Sequence, residues 1–256
     1  MVFIVRKGVF SHNVVWCSCP GSSRSQHLQL LKTGLFPAST TRPRTAFTFE
    51  VLDLFLIDAL ECKTSASSFF EKLRRMANNS FLDKVPNRYR ELMRVSRLWR
   101  DLMSRKWFGF GHNKEKIPYK SDLALFCPAC PQPGINLATD WRDKYVVDGN
   151  FTTQHMIMKQ PLLDISLSDG LRYMVTEQEY QTHLSLATEI GKFHLSAHKL
   201  ACFARYSLNF IQGAGQIDGE ILETLWAPFN KISPTARSMS QAHCQEVLDD
   251  HMRDSN

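Results

Sequence analysis

No stretch of this 256-residue chain approaches the roughly 20 consecutive apolar residues that cross a bilayer, so a helical membrane span is excluded. The apolar opening, residues 1–5, is broken by Arg6, Lys7 and Gly8. That is too soon for the apolar region of about 7–15 residues of a secretory signal. Internal repeats and long low-complexity segments are also lacking, which leaves the composition of a soluble globular protein of one or two domains. Acidic residues are in the minority, 25 against 31 basic, and the net charge of +6 favours polyanionic partners, nucleic acid among them. The seven cysteines are an odd number with two close pairs. That pattern suits metal binding in a reducing compartment better than a disulfide framework. The expected location is intracellular, away from membranes.

Residues 2–5, then Lys7-Gly8, then residues 9–16 read as two strands around a turn, with Cys17 at the end of the hairpin. The segment PASTTRPRT, residues 37–45, has the prolines and hydroxyls of a connector, and Thr45 is placed to cap a following helix. Helices are expected over residues 46–60, over 66–77 after Ser65, and over 86–107. In the third, Tyr89, Leu92, Met93, Trp99, Leu102 and Met103 recur at helical spacing and form one apolar face. Arg88, Arg90, Arg94, Arg97, Arg100, Arg105 and Lys106 crowd the rest, a face that either tracks DNA phosphates or is simply solvated. From Lys144 the pattern changes. Tyr145-Val146-Val147-Asp148 reads as a buried strand ending in a carboxylate, residues 151–158 as its antiparallel return, and residues 177–186, 195–206 and 219–229 as helices.

Three groups of residues could carry chemistry. Cys127-Pro128-Ala129-Cys130 has the spacing of a zinc knuckle, and Cys17-Ser18-Cys19 with His27 offers further soft ligands. The two pairs read as one shared zinc site, as halves of separate sites, or as unpaired buried thiols. His194, His198 and Cys202 stand at i, i+4 and i+8 and would share one side of a continuous helix, as metal ligands or as hydrogen-bonded core residues. Finally, a glycine-rich turn, GAGQIDGE at residues 213–220, delivers Glu220 to a helix start, with Glu223 and Asn230 near the same face. Phosphodiester chemistry with two Mg²⁺ needs oxygen ligands that hold the ions about 3.5–4 Å apart. Asp148 at a strand end and Glu220 at a helix start are candidates by position.

Several long segments make the chain familiar: GLFPASTTRPRTAFTFEVLDLF (34–55), CPACPQPGINL (127–137), VVDGNF (146–151), KFHLSAHKLAC (192–202) and SLNFIQGAGQIDGEILETLWAPFN (207–230). Together they resemble the KDZ transposases of fungi, and residues 15–38 resemble the CxC2-like cysteine region associated with them. The resemblance implies a ribonuclease H-like nuclease core with two aspartates and a glutamate that bind Mg²⁺ or Mn²⁺ for DNA cleavage and strand transfer. The first aspartate of that pattern falls on Asp148, with Gly149 where alanine is usual, and the glutamate falls on Glu220. The second belongs to a YDIAC-like strand before the KFHLPAH motif, and nothing in residues 180–191 reads that way.

The expectation is therefore a mixed α+β chain. Residues 1–40 would form the cysteine region with its hairpin, residues 41–143 a basic helical region with the CPAC knuckle, and residues 144–256 an incomplete ribonuclease H-like core. A long internal deletion after Leu184, with shortened ends, would make it a degenerate transposase fragment without the second metal-binding aspartate. Asp164, Asp169, Glu189 and Asp218 are the acids that could replace it. The alternatives are a transposon-derived module that keeps zinc and DNA contacts, and an active enzyme whose gene model omits an exon. Nuclear residence follows from the resemblance, cytoplasmic residence from the chain alone.

Overall fold

The computed structural model describes residues 1–20, 25–113, 115–125, 154–176, 178 and 221–255. The chain divides into two compact units: Met1–Leu123 with Ser166–Ser168, and Ala124–Ile165 with Asp169–Asn256.

The first unit is built on a four-stranded sheet of β1 (Val2–Val5), β2 (Gly8–Ser11), β3 (Leu35–Pro37) and β4 (Thr45–Thr48), in the order β2-β1-β4-β3. β1 and β2 pair antiparallel with Val5 opposite Gly8, so the expected hairpin forms, but Arg6-Lys7 makes its turn and Gly8, expected in the turn, opens the second strand. Gly8 has φ +135°, and a Cβ there would stand 2.9 Å from the backbone nitrogen of Ala77, so the turn requires glycine on two counts. β1 then pairs in parallel with β4, Val2 opposite Thr45. A parallel pair needs a crossover. That crossover holds α1 (Gln26–Lys32) and β3, which pairs antiparallel with β4.

Residues 45–48 correct the sequence reading, which begins a helix at Ala46. They form the strand β4, and α2 (Phe49–Glu61) starts one turn later, with Thr48 rather than Thr45 as its cap. The Thr48 hydroxyl accepts a hydrogen bond from the Val51 amide at 3.3 Å. β4 wins because it is bonded on both sides within the sheet, which buries Thr45, Ala46 and Phe47. A short apolar run such as TAFTF fits strand or helix until its partners are known. The hairpin's second strand is likewise shorter than expected, ending at Ser11.

α3 (Ala66–Ala77) matches its expected span, and its Ser65 cap accepts from the Ser68 amide at 3.1 Å. α4 covers Tyr89–Trp107. One core joins the sheet to these helices, with Ile4, Phe47, Val51, Leu52, Phe69, Leu73, Leu92 and Val95 all nearly inaccessible. Residues 1–40 and the helices thus share one hydrophobic interior. Trp99 anchors α4: its ring meets Phe36 edge-on at 5.7 Å and Phe49 at 4.9 Å, and its indole N–H donates to Asp53 at 2.9 Å.

In the second unit, α5 (Ile221–Asn230), α6 (Ser233–Ala236) and α7 (Gln241–Ser255) surround a cluster of Phe229, Ile232, Ala236, Cys244 and Val247. α5 starts close to the expected residue 219. Residues 154–158 are irregular where a strand was expected, and Met156 donates its amide to the Met239 carbonyl at 2.9 Å. The described residues establish a mixed α+β chain. The expected strand at 145–148 and the expected helices at 177–186 and 195–206 lie outside them, apart from residue 178.

Candidate functional site

The basic helix α4 is more heterogeneous than its sequence suggests. Of its two acids, Glu91 pairs with Arg88 at 3.7 Å and Asp101 with Arg105 at 2.8 Å. Arg94 donates to the Ala38 carbonyl in the connection between β3 and β4. Arg97 is half-buried and Arg100 is only 7% exposed, whereas Arg90 and Lys106 face solvent. The buried stripe runs through Leu92, Val95, Ser96, Trp99, Arg100 and Ser104. It is thus rotated away from the expected face, leaving Leu102 at 45% exposure. Sequence periodicity missed the rotation because Arg100 carries a long aliphatic stem that packs like an apolar residue.

The first cysteine pair is held by a neighbour the sequence did not mark. Gln29 of α1 accepts from the Cys17 amide at 3.0 Å and donates to the Cys17 carbonyl at 2.9 Å, closing a two-bond clamp on the backbone. The Cys19 amide in turn donates to the Cys17 sulfur at 3.4 Å. Both thiols are exposed. His27 is half-buried, and its Nδ1 has no hydrogen-bond partner among the described residues. Among the described residues, no three His, Cys, Asp or Glu side chains converge on a point that could hold a metal ion. Cys127, Cys130, His194, His198, Cys202, Asp148 and Glu220 lie outside the described residues.

The second unit contains an ionic cluster that sequence reasoning missed. Asp250 of α7 pairs with Arg172 at 3.1 Å and with Arg253 at 3.8 Å, and Asp249 accepts from the Met174 amide at 2.9 Å. Burial pushes the Asp249 carboxyl up to about 6, against the Met174 hydrogen bond and the Arg172 charge, which lower it, and with the Asp250 charge, which raises it further. Burial also lowers the Arg253 guanidinium. The available signal was the spacing Glu246, Asp249, Asp250 and Arg253 among Cys244 and Val247, charges on the apolar face of a helix. These bonds fasten residues 172–174 to α7. At the helix's other end, Asp164 accepts from the Ser240 hydroxyl at 2.6 Å and from the Ala242 amide at 2.9 Å, neutralising the start of the dipole.

Two family models match the chain. Residues 1–81 match the CxC2 like cysteine cluster associated with KDZ transposases, and residues 178–256 match the Kyakuja-Dileera-Zisupton transposase. These matches support a transposase-derived protein. Both point to the same group and support a KDZ transposase-related protein, each over less than half of the chain. No curated protein and no solved structure matches it. The segment at residues 34–55 falls inside the CxC2 match, Glu220 lies inside the transposase match, and Asp148 lies between the two.

Proposed function

We propose that this chain is a transposase-derived protein that contacts DNA and does not cleave it. The carrying observation is its supply of carboxylates. Within residues 180–191, ahead of the KFHLSAH segment, Glu189 is the one acidic residue, and no aspartate stands there to join Asp148 and Glu220. A site that must hold two dications against their mutual repulsion loses affinity for at least one of them when a negative ligand is missing. Asp164 is a poor replacement, since both of its oxygens accept hydrogen bonds at the start of α7. In a complete site, Asp148 and Glu220 would hold Mg²⁺ or Mn²⁺, which would activate the attacking oxygen and stabilise the leaving one. DNA contact rests on the excess of basic residues and on the exposed cations of α4.

Incubating the purified chain with supercoiled DNA and either Mg²⁺ or Mn²⁺ should give no nicked product. Cleavage that disappears in both Asp148→Ala and Glu220→Ala would overturn the reading. The geometry around Cys17 favours a second reading, that the chain is a module retaining zinc as well as DNA. Its test is the zinc content of the purified protein, and absence of zinc removes it.

A further inference from the structure

We infer that the connection between β3 and β4 forms, with the first half of α4, the surface that takes the phosphate backbone of duplex DNA, and that Arg42 and Arg44 are its principal contacts. The inference rests on the DNA-contacting reading above and assigns residues that the basic helix alone did not suggest.

Residues 38–44 read Ala-Ser-Thr-Thr-Arg-Pro-Arg, with three hydroxyls, two guanidinium groups and no acid. Pro43 is buried while Arg42 and Arg44 on either side of it are exposed, so the loop is pinned at its middle and presents both charges outward. The Ser39 and Thr41 hydroxyls lie 3.3 Å apart, ordering the near end of the loop. The loop and the helix are fixed against each other at two points. Arg94 donates to the carbonyl of Ala38, the loop's first residue, and Phe36 of β3 packs on Trp99. Arg90 lies one turn before Arg94 on the same row of the helix and is exposed.

The neighbouring carboxylates are occupied. Glu91 pairs with Arg88, Asp53 accepts from Trp99, and Glu50 pairs with Arg6. The side chains of Arg42, Arg44 and Arg90 make no ion pair among the described residues. Lys106 stands roughly 24 Å along the axis from Arg90 at 1.5 Å per residue, and belongs to the opposite end of the helix. A surface of spaced guanidinium groups and hydroxyls without acids is the chemistry that phosphate oxygens select, and it reads no base sequence. Because each neutralised phosphate releases counterions, the contacts can be counted from the salt dependence.

The test is fluorescence anisotropy of a labelled DNA duplex with the full chain across a salt series. Wild type should bind with an affinity that falls as salt rises. Arg42→Ala/Arg44→Ala should weaken binding at least tenfold at low salt and flatten the slope of log K against log salt by about 2, at about 0.9 per phosphate. Arg90→Ala should flatten it by about 1. Arg42→Lys/Arg44→Lys should retain most of the slope, which separates lost charge from altered folding. If the double alanine variant binds with wild-type slope while Arg90→Ala does not, the loop assignment is wrong and DNA contact by the helix stands. If wild type shows no salt-dependent affinity, the DNA reading falls and the loop assignment with it.

Discussion

Asp249 and Asp250 are adjacent on one helix, both about 2% exposed, and should nevertheless answer substitution with opposite signs. Unfolded, an aspartate titrates near 3.9, whereas folded Asp249 titrates at about 6. Its raised value means that the folded state holds the proton more tightly. The stabilising contribution is fully present below pH about 4 and is lost as pH rises through about 6. Asp249→Asn keeps an oxygen for the Met174 amide and removes the buried charge. It should flatten the pH dependence between pH about 4 and 6 and raise stability at pH 7.5 by the order of 2 kcal/mol. Asp250→Asn instead breaks the buried ion pair with Arg172, which is 4% exposed, and should cost about 3–5 kcal/mol. Urea titrations of both variants at pH 4.5 and 7.5 measure the two signs directly.

Among the elements, Thr48 carries a double duty, closing β4 and capping α2. Thr48→Ala should lose about 1 kcal/mol, and Thr48→Ser should recover most of it, as read by denaturation midpoints. This junction also shows which elements could be read in advance. α3 was legible because its cap, its apolar spacing and its boundaries all lie within its own residues. β4 was not, because its strand character comes from Val2 and Leu35, partners distant in sequence. α4 was legible as a helix, but its rotation was not, since Trp99 is fixed by Phe36, Phe49 and Asp53 on other elements. The Arg172 and Asp250 pair was equally hidden, joining a segment of no recognisable pattern to α7.

At the scale of the molecule, the two family matches sit at opposite ends of the chain, and the CPAC pair falls between them. The long motifs carried the relationship, while Asp148 and Glu220 were legible only as positions within them. Whether the cysteine pairs act on one ion is a question of stoichiometry. If Cys17 and Cys19 supply half of a tetrahedral site, Cys17→Ser/Cys19→Ser should abolish that site's zinc, measured by metal analysis of the purified protein. Cys244 should be indifferent, since it is 4% exposed and burial raises its thiol, so Cys244→Ser should leave the zinc content unchanged.

The parallel pairing of β1 with β4 also sets an order of events during synthesis. Val2 cannot meet Thr45 until roughly forty further residues have been made, so closing that loop must precede completion of the sheet. Until then the β1 and β2 hairpin carries an unpaired inner edge, a ready target for chaperones and for strand exchange with another nascent chain.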